Sequence, residues 1–271
     1  MDYKSIYENN KTTLITGGSS GIGYQMSRLF ARDGYRLLWV AKPQEELSKA
    51  KAQLEQEYPQ AEIHCLAKDL SVSTAAKEVH AWTHAKGWTV DVLVNNAGFA
   101  TYGNFEEIEA EKEVAMIGVN VTNLMLMTRY FLQDMEARNA GKIMNISSGV
   151  SYEAWPRMAT YAGTKAFVRL MSDSLHYELK YRKSAVQVTT VCPSAIKDTR
   201  FQARAGMQKV RAFSSIATAT PQEVAKDAYR GLNKGKRLVL TGAKYRFNKI
   251  VSQLVPKALT RWVIKKEMEE V

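Results

Sequence analysis

Seven short apolar runs alternate along the chain with longer stretches whose apolar residues recur every three or four positions. The runs at 12–16, 36–41, 63–67, 90–95, 142–147, 186–192 and 237–241 read as strands. Their centres are continuously apolar rather than alternating, as in a parallel sheet buried on both faces. The stretches near 22–33, 45–58, 73–86, 111–139, 158–182 and 221–233 read as helices. This β–α alternation predicts an α/β fold, a doubly wound seven-stranded parallel sheet with right-handed crossovers and helices on both faces. No Pro/Gly-rich linker, repeat or low-complexity tract divides it, so residues 1–243 are expected to form a single domain.

Two segments depart from the alternation. Residues 194–219 are polar and irregular, long for a connection, and such loops in compact domains often act as lids. The lid ends at Thr220-Pro221-Gln222-Glu223, a helix start with a threonine cap, proline at the first helical position and glutamate three after the cap. Residues 244–271 form a basic amphipathic extension. Phe247, Ile250, Val251, Leu254 and Val255 fall at helical spacing, Pro256 interrupts them, and Leu259, Trp262 and Val263 resume the stripe.

Composition leaves that picture unchanged. Hydrophobic residues make up 45% and charged residues 24%, the balance of an ordinary soluble domain. Cys65 and Cys192 both lie in strand-like runs and read as core residues of a reducing compartment rather than a disulfide. No apolar signal segment opens the chain, and no run reaches the ~18 residues a membrane span needs. A cytoplasmic location is expected. The formal charge of +11 is concentrated, since residues 244–266 hold seven lysines and arginines and no acid. The remainder is only mildly basic and carries neither zinc-finger spacing nor a basic–aromatic RNA-binding motif, so no nucleic-acid partner is expected. No residues are assigned to a metal.

Candidate chemistry begins at the first strand's end. Thr16-Gly17-Gly18-Ser19-Ser20-Gly21-Ile22-Gly23 leads from that strand into the first helix. Glycines let the backbone approach a pyrophosphate, and the helix N-terminus offers unpaired N–H groups and a positive dipole. Further on, Tyr161 and Lys165 share one helix face, with Ser148 thirteen residues before the tyrosine at a strand's end. A phenol alone ionises near pH ~10 and is a poor acid or base at neutrality. A fixed cation beside it favours phenolate, and a nearby serine can hold a carbonyl or alcohol oxygen.

Together with Asn95-Asn96-Ala97-Gly98 after the fourth strand and Tyr161-Ala162-Gly163-Thr164-Lys165, the glycine loop resembles that of the short-chain dehydrogenase/reductase family. The resemblance covers about residues 12–242 and rests on three motifs in order, each at a strand end. It implies a Rossmann fold and a nicotinamide site at the strands' C-terminal ends. It also implies a catalytic set of Asn120, Ser148, Tyr161 and Lys165. Tyr161 would pass a proton to or from the substrate oxygen, Lys165 would lower its pKa and hold the nicotinamide ribose, and Ser148 would polarise that oxygen. Asn120 would hold a water linking Lys165 to solvent. Asn96, Ala97 and Gly98 would wall the cofactor pocket, and Asp69 with Leu70 resembles the adenine-contacting pair. After the sixth strand the family's Pro-Gly is replaced by Pro193-Ser194, and Ile196 and Thr199 would follow along the nicotinamide.

The residues after the second strand decide between cofactors. No acid stands at Ala41-Lys42-Pro43 to bind a free ribose 2′-hydroxyl, while Lys42 can pair with a 2′-phosphate. NADP(H) is therefore expected, with NAD(H) the alternative. The lid holds Lys197, Arg200, Arg204, Lys209 and Arg211 against Asp198, a pattern that suits a solvated face or attraction of an anionic substrate such as an acyl thioester. The C-terminal stripe suits either a cover over the substrate cleft or partner packing, or peripheral contact with a membrane surface. The leading expectation is reversible interconversion of a secondary alcohol and a ketone, the substrate a 3-oxoacyl thioester or other lipophilic carbonyl. A hydroxysteroid, a small hydroxy acid, or a non-catalytic NADP-binding regulator are the alternatives. The resemblance further implies a homodimer or homotetramer paired through the helices at 111–139 and 158–182.

Overall fold

Every residue of the first strand, β1 (Thr12–Thr16), is buried, and its neighbours divide between two layers. Successive side chains of a strand point to opposite sheet faces. Leu14 thus packs with Leu38, Leu93, Val79 and Phe131, whereas Ile15 packs with Trp39, Val94, Phe30 and Leu47. That two-sided burial is why the strands read as continuously apolar. The computed structural model describes residues 11–197, 200–211, 218–242, 245, 246 and 255–268.

The strands β2 (Arg36–Ala41), β3 (Ile63–Ala67), β4 (Val90–Asn95), β5 (Lys142–Ile146), β6 (Gln187–Cys192) and β7 (Leu238–Leu240) complete one sheet. Its order is β3-β2-β1-β4-β5-β6-β7, parallel throughout. The helices α1 (Gly21–Arg32), α2 (Gln44–Glu57) and α8 (Pro221–Asn233) bury one face. The other face takes α3 (Ala75–Ala85), α5 (Leu124–Ala137) and α6 (Ala159–Tyr181). The chain builds outward from β1 to β3, then returns to lay β4 on the other side of β1. Crossovers diverge at that point, leaving a crevice at the strands' C-terminal ends, the usual ligand position in such sheets.

The expected helix at 111–139 is three pieces. It comprises α4 (Ala110–Ile117), a π-helical turn (Gly118–Asn123) and α5. The cause is distant in sequence. A side chain at Gly118 would place its Cβ 2.6 Å from the Ser71 carbonyl oxygen. Buried Asn123 donates to the carbonyls of Leu70 (2.7 Å) and Val72 (2.9 Å) and accepts from the Ala76 N–H (2.8 Å). These bonds draw the turn against the loop after β3, and the wider turn accommodates them.

The remaining elements close the crevice. The lid contains the short helix α7 (Arg200–Arg204), and its two ends meet in an isolated bridge between Ile196 and Ala219. At its end Thr220 accepts from the Glu223 N–H, and the Glu223 carboxylate accepts from the Thr220 N–H at 2.8 Å, a closed capping box. After Pro256 the chain forms α9 (Lys257–Glu267). Here the buried face differs from the sequence expectation. Leu259, Trp262 and Val263 are half exposed, while Ile264 and Met268 are buried with Met116, Met158, Tyr161 and Met207. The lysines keep the outward face polar, and Lys266 lies 4.1 Å over the Trp262 ring, so that stripe is covered by its own cation. The upstream stripe residues Phe247 to Leu254 lie outside the described residues. Among the described residues no helix is long and apolar enough to cross a membrane.

Candidate active site

At the centre of the crevice Thr16 and Asn96 join β1 to β4. Thr16 Oγ1 accepts from the N–H groups of Asn96 and Ala97, both at 3.0 Å. Asn96 Nδ2 returns bonds to the carbonyls of Thr16 (3.0 Å) and Gly17 (3.2 Å). Thr16 therefore lies behind the cavity and shapes it. Gly17 takes a positive φ of 67°, and a Cβ at Gly23 would sit 2.1 Å from the Gly17 carbonyl oxygen, so α1 starts directly against the loop. Ser20 caps α1 without a side-chain hydrogen bond, and the first turn carries no acid. Its leading N–H groups and dipole are thus available to an anion.

Gly17, Ser19, Ser20, Gly21 and Ile22 line a cavity of about 710 Å³ that runs on past Asn96, Ala97 and Gly98 to the catalytic candidates. The cradle, the bare helix terminus and the elongated cavity fit a dinucleotide. At one end the cavity is bounded by Lys42, Asp69, Leu70 and Ser71. Lys42 pairs with Asp69, which also accepts from the Ser71 N–H at 2.9 Å and hydroxyl at 2.8 Å. Burial raises the Asp69 pKa, but the bonds from Lys42 and Ser71 prevail and hold it at about 2. No acid stands at 41–43, and the fold brings Asp69 to Lys42 from the loop after β3.

At the other end Ser148, Tyr161 and Lys165 share a wall. Tyr161 and Lys165 rise from the first turns of α6, both buried, with Lys165 Nζ 5.9 Å from the phenol ring centre. Lys165 donates to the Ile146 carbonyl at 3.0 Å, and burial lowers its pKa to about 8. Burial also raises the Tyr161 phenol above its ordinary value, against a lowering hydrogen bond with Ser148. Desolvation is the larger of these two influences on the phenol. Adjacent Ser147 also borders the cavity, but its hydroxyl is committed to the Lys165 carbonyl, to which it donates at 2.7 Å. Asn120 does not line the cavity. It sits in the π turn, fully buried, its Nδ2 donating to the Phe99 carbonyl at 2.9 Å. A Cβ on Gly98 would lie 2.9 Å from Asn120 Oδ1 and 3.3 Å from Lys165 Nζ, so Gly98 is where the two groups approach.

Pro193, Ser194 and Ile196 line the cavity as expected, and Thr199 lies outside the described residues. Of the described lid cations Arg204 reaches the cavity, where it pairs with Glu46 of α2 at 3.6 Å. Several wall residues carried no sequence signal. Phe99, Val150, Trp155, Met158, Phe201 and Met268 surround the space before Tyr161, and the Phe201 ring lies 5.7 Å from that of Tyr161. Tyr102 Oη donates to the Met268 carbonyl at 3.0 Å, fixing the end of α9 over this chamber. An apolar residue on a lid and one on a distant helix look alike in sequence until the fold brings them together.

A parallel sheet with its crevice at β1 and β4, a glycine cradle and a buried Tyr–Lys pair beside a serine define a dinucleotide-dependent oxidoreductase site. The short chain dehydrogenase family model matches residues 11–210, and the chain belongs to that family. It is 31% identical over 220 residues to the NADP-dependent 3-hydroxy acid dehydrogenase YdfG of Escherichia coli (strain K12), covering 78% of this chain and 85% of that protein. A short-chain dehydrogenase from Sphingobium yanoikuyae in complex with NADPH superposes with a TM-score of 0.78 at 28% identity, over 93% of this chain and 95% of that one. The bulky-bulky ketone specific alcohol dehydrogenase of Comamonas testosteroni superposes with a TM-score of 0.74 at 25% identity, over 93% and 94% of the chains.

Proposed function

We propose that this protein is an NADP(H)-dependent carbonyl reductase acting reversibly on a ketone and its secondary alcohol, with a bulky lipophilic carbonyl as substrate. The observation that carries this is the apolar chamber of Phe99, Trp155, Met158, Phe201 and Met268 in front of Tyr161. A chamber of that character favours apolar substituents on the ketone. A 3-oxoacyl thioester fits through its acyl chain. The relatives named for bulky ketones and for NADP or NADPH support the same reading.

The cofactor, when bound, supplies a hydride. Ser148 orients the carbonyl oxygen through its hydroxyl, and Tyr161 donates its phenolic proton to that oxygen as negative charge develops there. Lys165 keeps a positive charge near the phenol and is placed to hold a ribose hydroxyl. Asn120 fixes the wall at Phe99 and keeps an amide oxygen near Lys165, where a water relay would begin. Gly17 to Gly23 and the α1 terminus would bind the diphosphate. Lys42 would exchange part of its bond with Asp69 for a 2′-phosphate, a doubly charged competitor for the same ammonium. The exposed Phe167, Leu170, Tyr177 and Tyr181 of α6 suit pairing of two copies through that helix.

The test is NADPH consumption by the purified protein over acyl thioesters of rising chain length, ketosteroids and small polar ketones, with Tyr161→Phe as control. Turnover should rise with apolar bulk and fall by about 10²–10⁴ in the variant. Tight NADPH binding without tyrosine-dependent turnover on any ketone would instead support a non-catalytic regulator.

A further inference from the structure

Away from the cavity, His80 and His84 of α3 stand one helical turn apart and meet Asp134 of α5. His80 Nε2 lies 2.8 Å and His84 Nε2 2.9 Å from the same carboxylate oxygen, and the two nitrogens are 3.1 Å apart. Three ligand atoms thus form a nearly equilateral triangle. We propose that this triangle is a binding site for a late first-row divalent cation, with zinc the best match.

Two imidazoles and one carboxylate are a common donor set for zinc, which binds both at about 2.0–2.2 Å. A tetrahedral ion with such bonds holds its ligand atoms roughly 3.3 Å apart. The triangle needs to open by only a few tenths of an ångström, within side-chain adjustment. Without an ion the arrangement is crowded. If both Nε2 atoms carry hydrogens, two donors converge on one oxygen and face each other; if one does not, it has lost its bond to the carboxylate. A cation replaces both protons and satisfies all three atoms.

The His80 ring is held in place before any ion arrives. His80 lies edge-on to Phe131, with centres 5.1 Å apart, and 5.4 Å from Tyr130. Such orientation limits what the ligands lose on binding. His84 is 57% exposed, which gives the ion an entry path and leaves the fourth position to water. None of the three residues lines the catalytic cavity, so the ion would staple α3 to α5 without entering the reaction. The His-x₃-His spacing was legible within the helical stretch at 73–86, but the third ligand comes 50 residues after His84 and only the fold reveals it.

The experiment is isothermal titration of untagged, chelator-treated protein with zinc chloride, with unfolding temperature followed in parallel. One equivalent should bind with a dissociation constant in the micromolar range, and the unfolding temperature should rise with free zinc. His84→Ala and Asp134→Asn should each weaken binding at least tenfold and abolish that rise, with ketone turnover unchanged. His64→Ala, beside Glu62 on the sheet edge, should bind as wild type does. Binding absent below millimolar zinc, or unchanged in either His84→Ala or Asp134→Asn, overturns the proposal. Because His84 is exposed, its variant keeps the test decisive if Asp134→Asn fails to fold.

Discussion

Asn120 and Phe99 exchange two hydrogen bonds across the cavity wall: the amide Nδ2 donates to the Phe99 carbonyl at 2.9 Å, and the Phe99 N–H donates to Oδ1 at 3.2 Å. The same Nδ2 reaches Thr164 Oγ1 at 3.2 Å, on the turn of α6 that carries Lys165. The amide thereby couples the loop after β4, the π turn and α6. Asn120→Leu leaves both half-buried Phe99 backbone groups without these partners. It should lower the unfolding free energy by about 3 kcal/mol in urea denaturation. Asn120→Asp keeps the acceptor and should cost less. Equal stability in all three proteins would show that the exchange carries no energy.

Lys165 is a charge held where the fold would be more stable without one. With no carboxylate paired to it among the described residues, its pKa falls from 10.5 to about 8. Below pH 8 both folded and unfolded chains carry the proton. Between pH 8 and 10.5 the unfolded chain keeps it longer, so this group makes stability rise with pH across that window. The penalty at neutral pH is on the order of 3 kcal/mol, offset by about 1 kcal/mol for the bond to Ile146. Lys165→Met should therefore raise the apo unfolding temperature at pH 7 while abolishing turnover. A destabilised variant would place the value of the Ile146 bond above the desolvation cost.

The Tyr161 phenol stays protonated through neutral pH because burial raises its pKa. Carbonyl reduction needs that acid form, so its chemical step should be nearly flat between about pH 6 and 7.5. A single-turnover reduction rate that falls steeply across that range would show the phenol titrating low. Alcohol oxidation needs the phenolate and should quicken as pH rises.

Two glycines should respond oppositely to the same methyl group. At Gly23 a Cβ meets the Gly17 carbonyl oxygen at 2.1 Å, whereas at exposed Gly163 it meets nothing within 4 Å. Gly23→Ala should push α1 off the loop and cost at least tenfold in NADPH affinity by fluorescence titration. Gly163→Ala should bind normally and gain up to about 1 kcal/mol from helix propensity.

If Lys42 binds the 2′-phosphate as proposed, its pairing with Asp69 makes cofactor preference a competition. Lys42→Asp should weaken NADPH binding by ten- to a hundredfold, roughly 1.5–3 kcal/mol for a charge-assisted bond, and leave NADH within about twofold. Unchanged NADPH affinity would remove Lys42 from the cofactor site.

Much of this architecture was legible because its causes are local. Continuous apolar runs mark buried parallel strands, Thr220 and Glu223 mark a helix start, and Gly17 to Gly23 mark a cradle between strand and helix. What escaped reading depends on contacts from elsewhere. The segment at Gly118–Asn123 has helical spacing, and only Ser71 and Leu70 show why it widens. The stripe of α9 looked centred on Trp262, yet tertiary packing buries Ile264 and Met268. No acid is near Lys42 in sequence, and the loop after β3 brings Asp69 to it only in the fold.

The bonds between Thr16 and Asn96 span 80 residues of sequence. Loop closure over such a distance is slow, so the central seam of the sheet is expected among the later events of refolding. The cofactor cradle cannot exist before that seam does. Recovery of NADPH binding after dilution from denaturant is then a clock for the sheet's midline, and it should lag behind recovery of helical ellipticity.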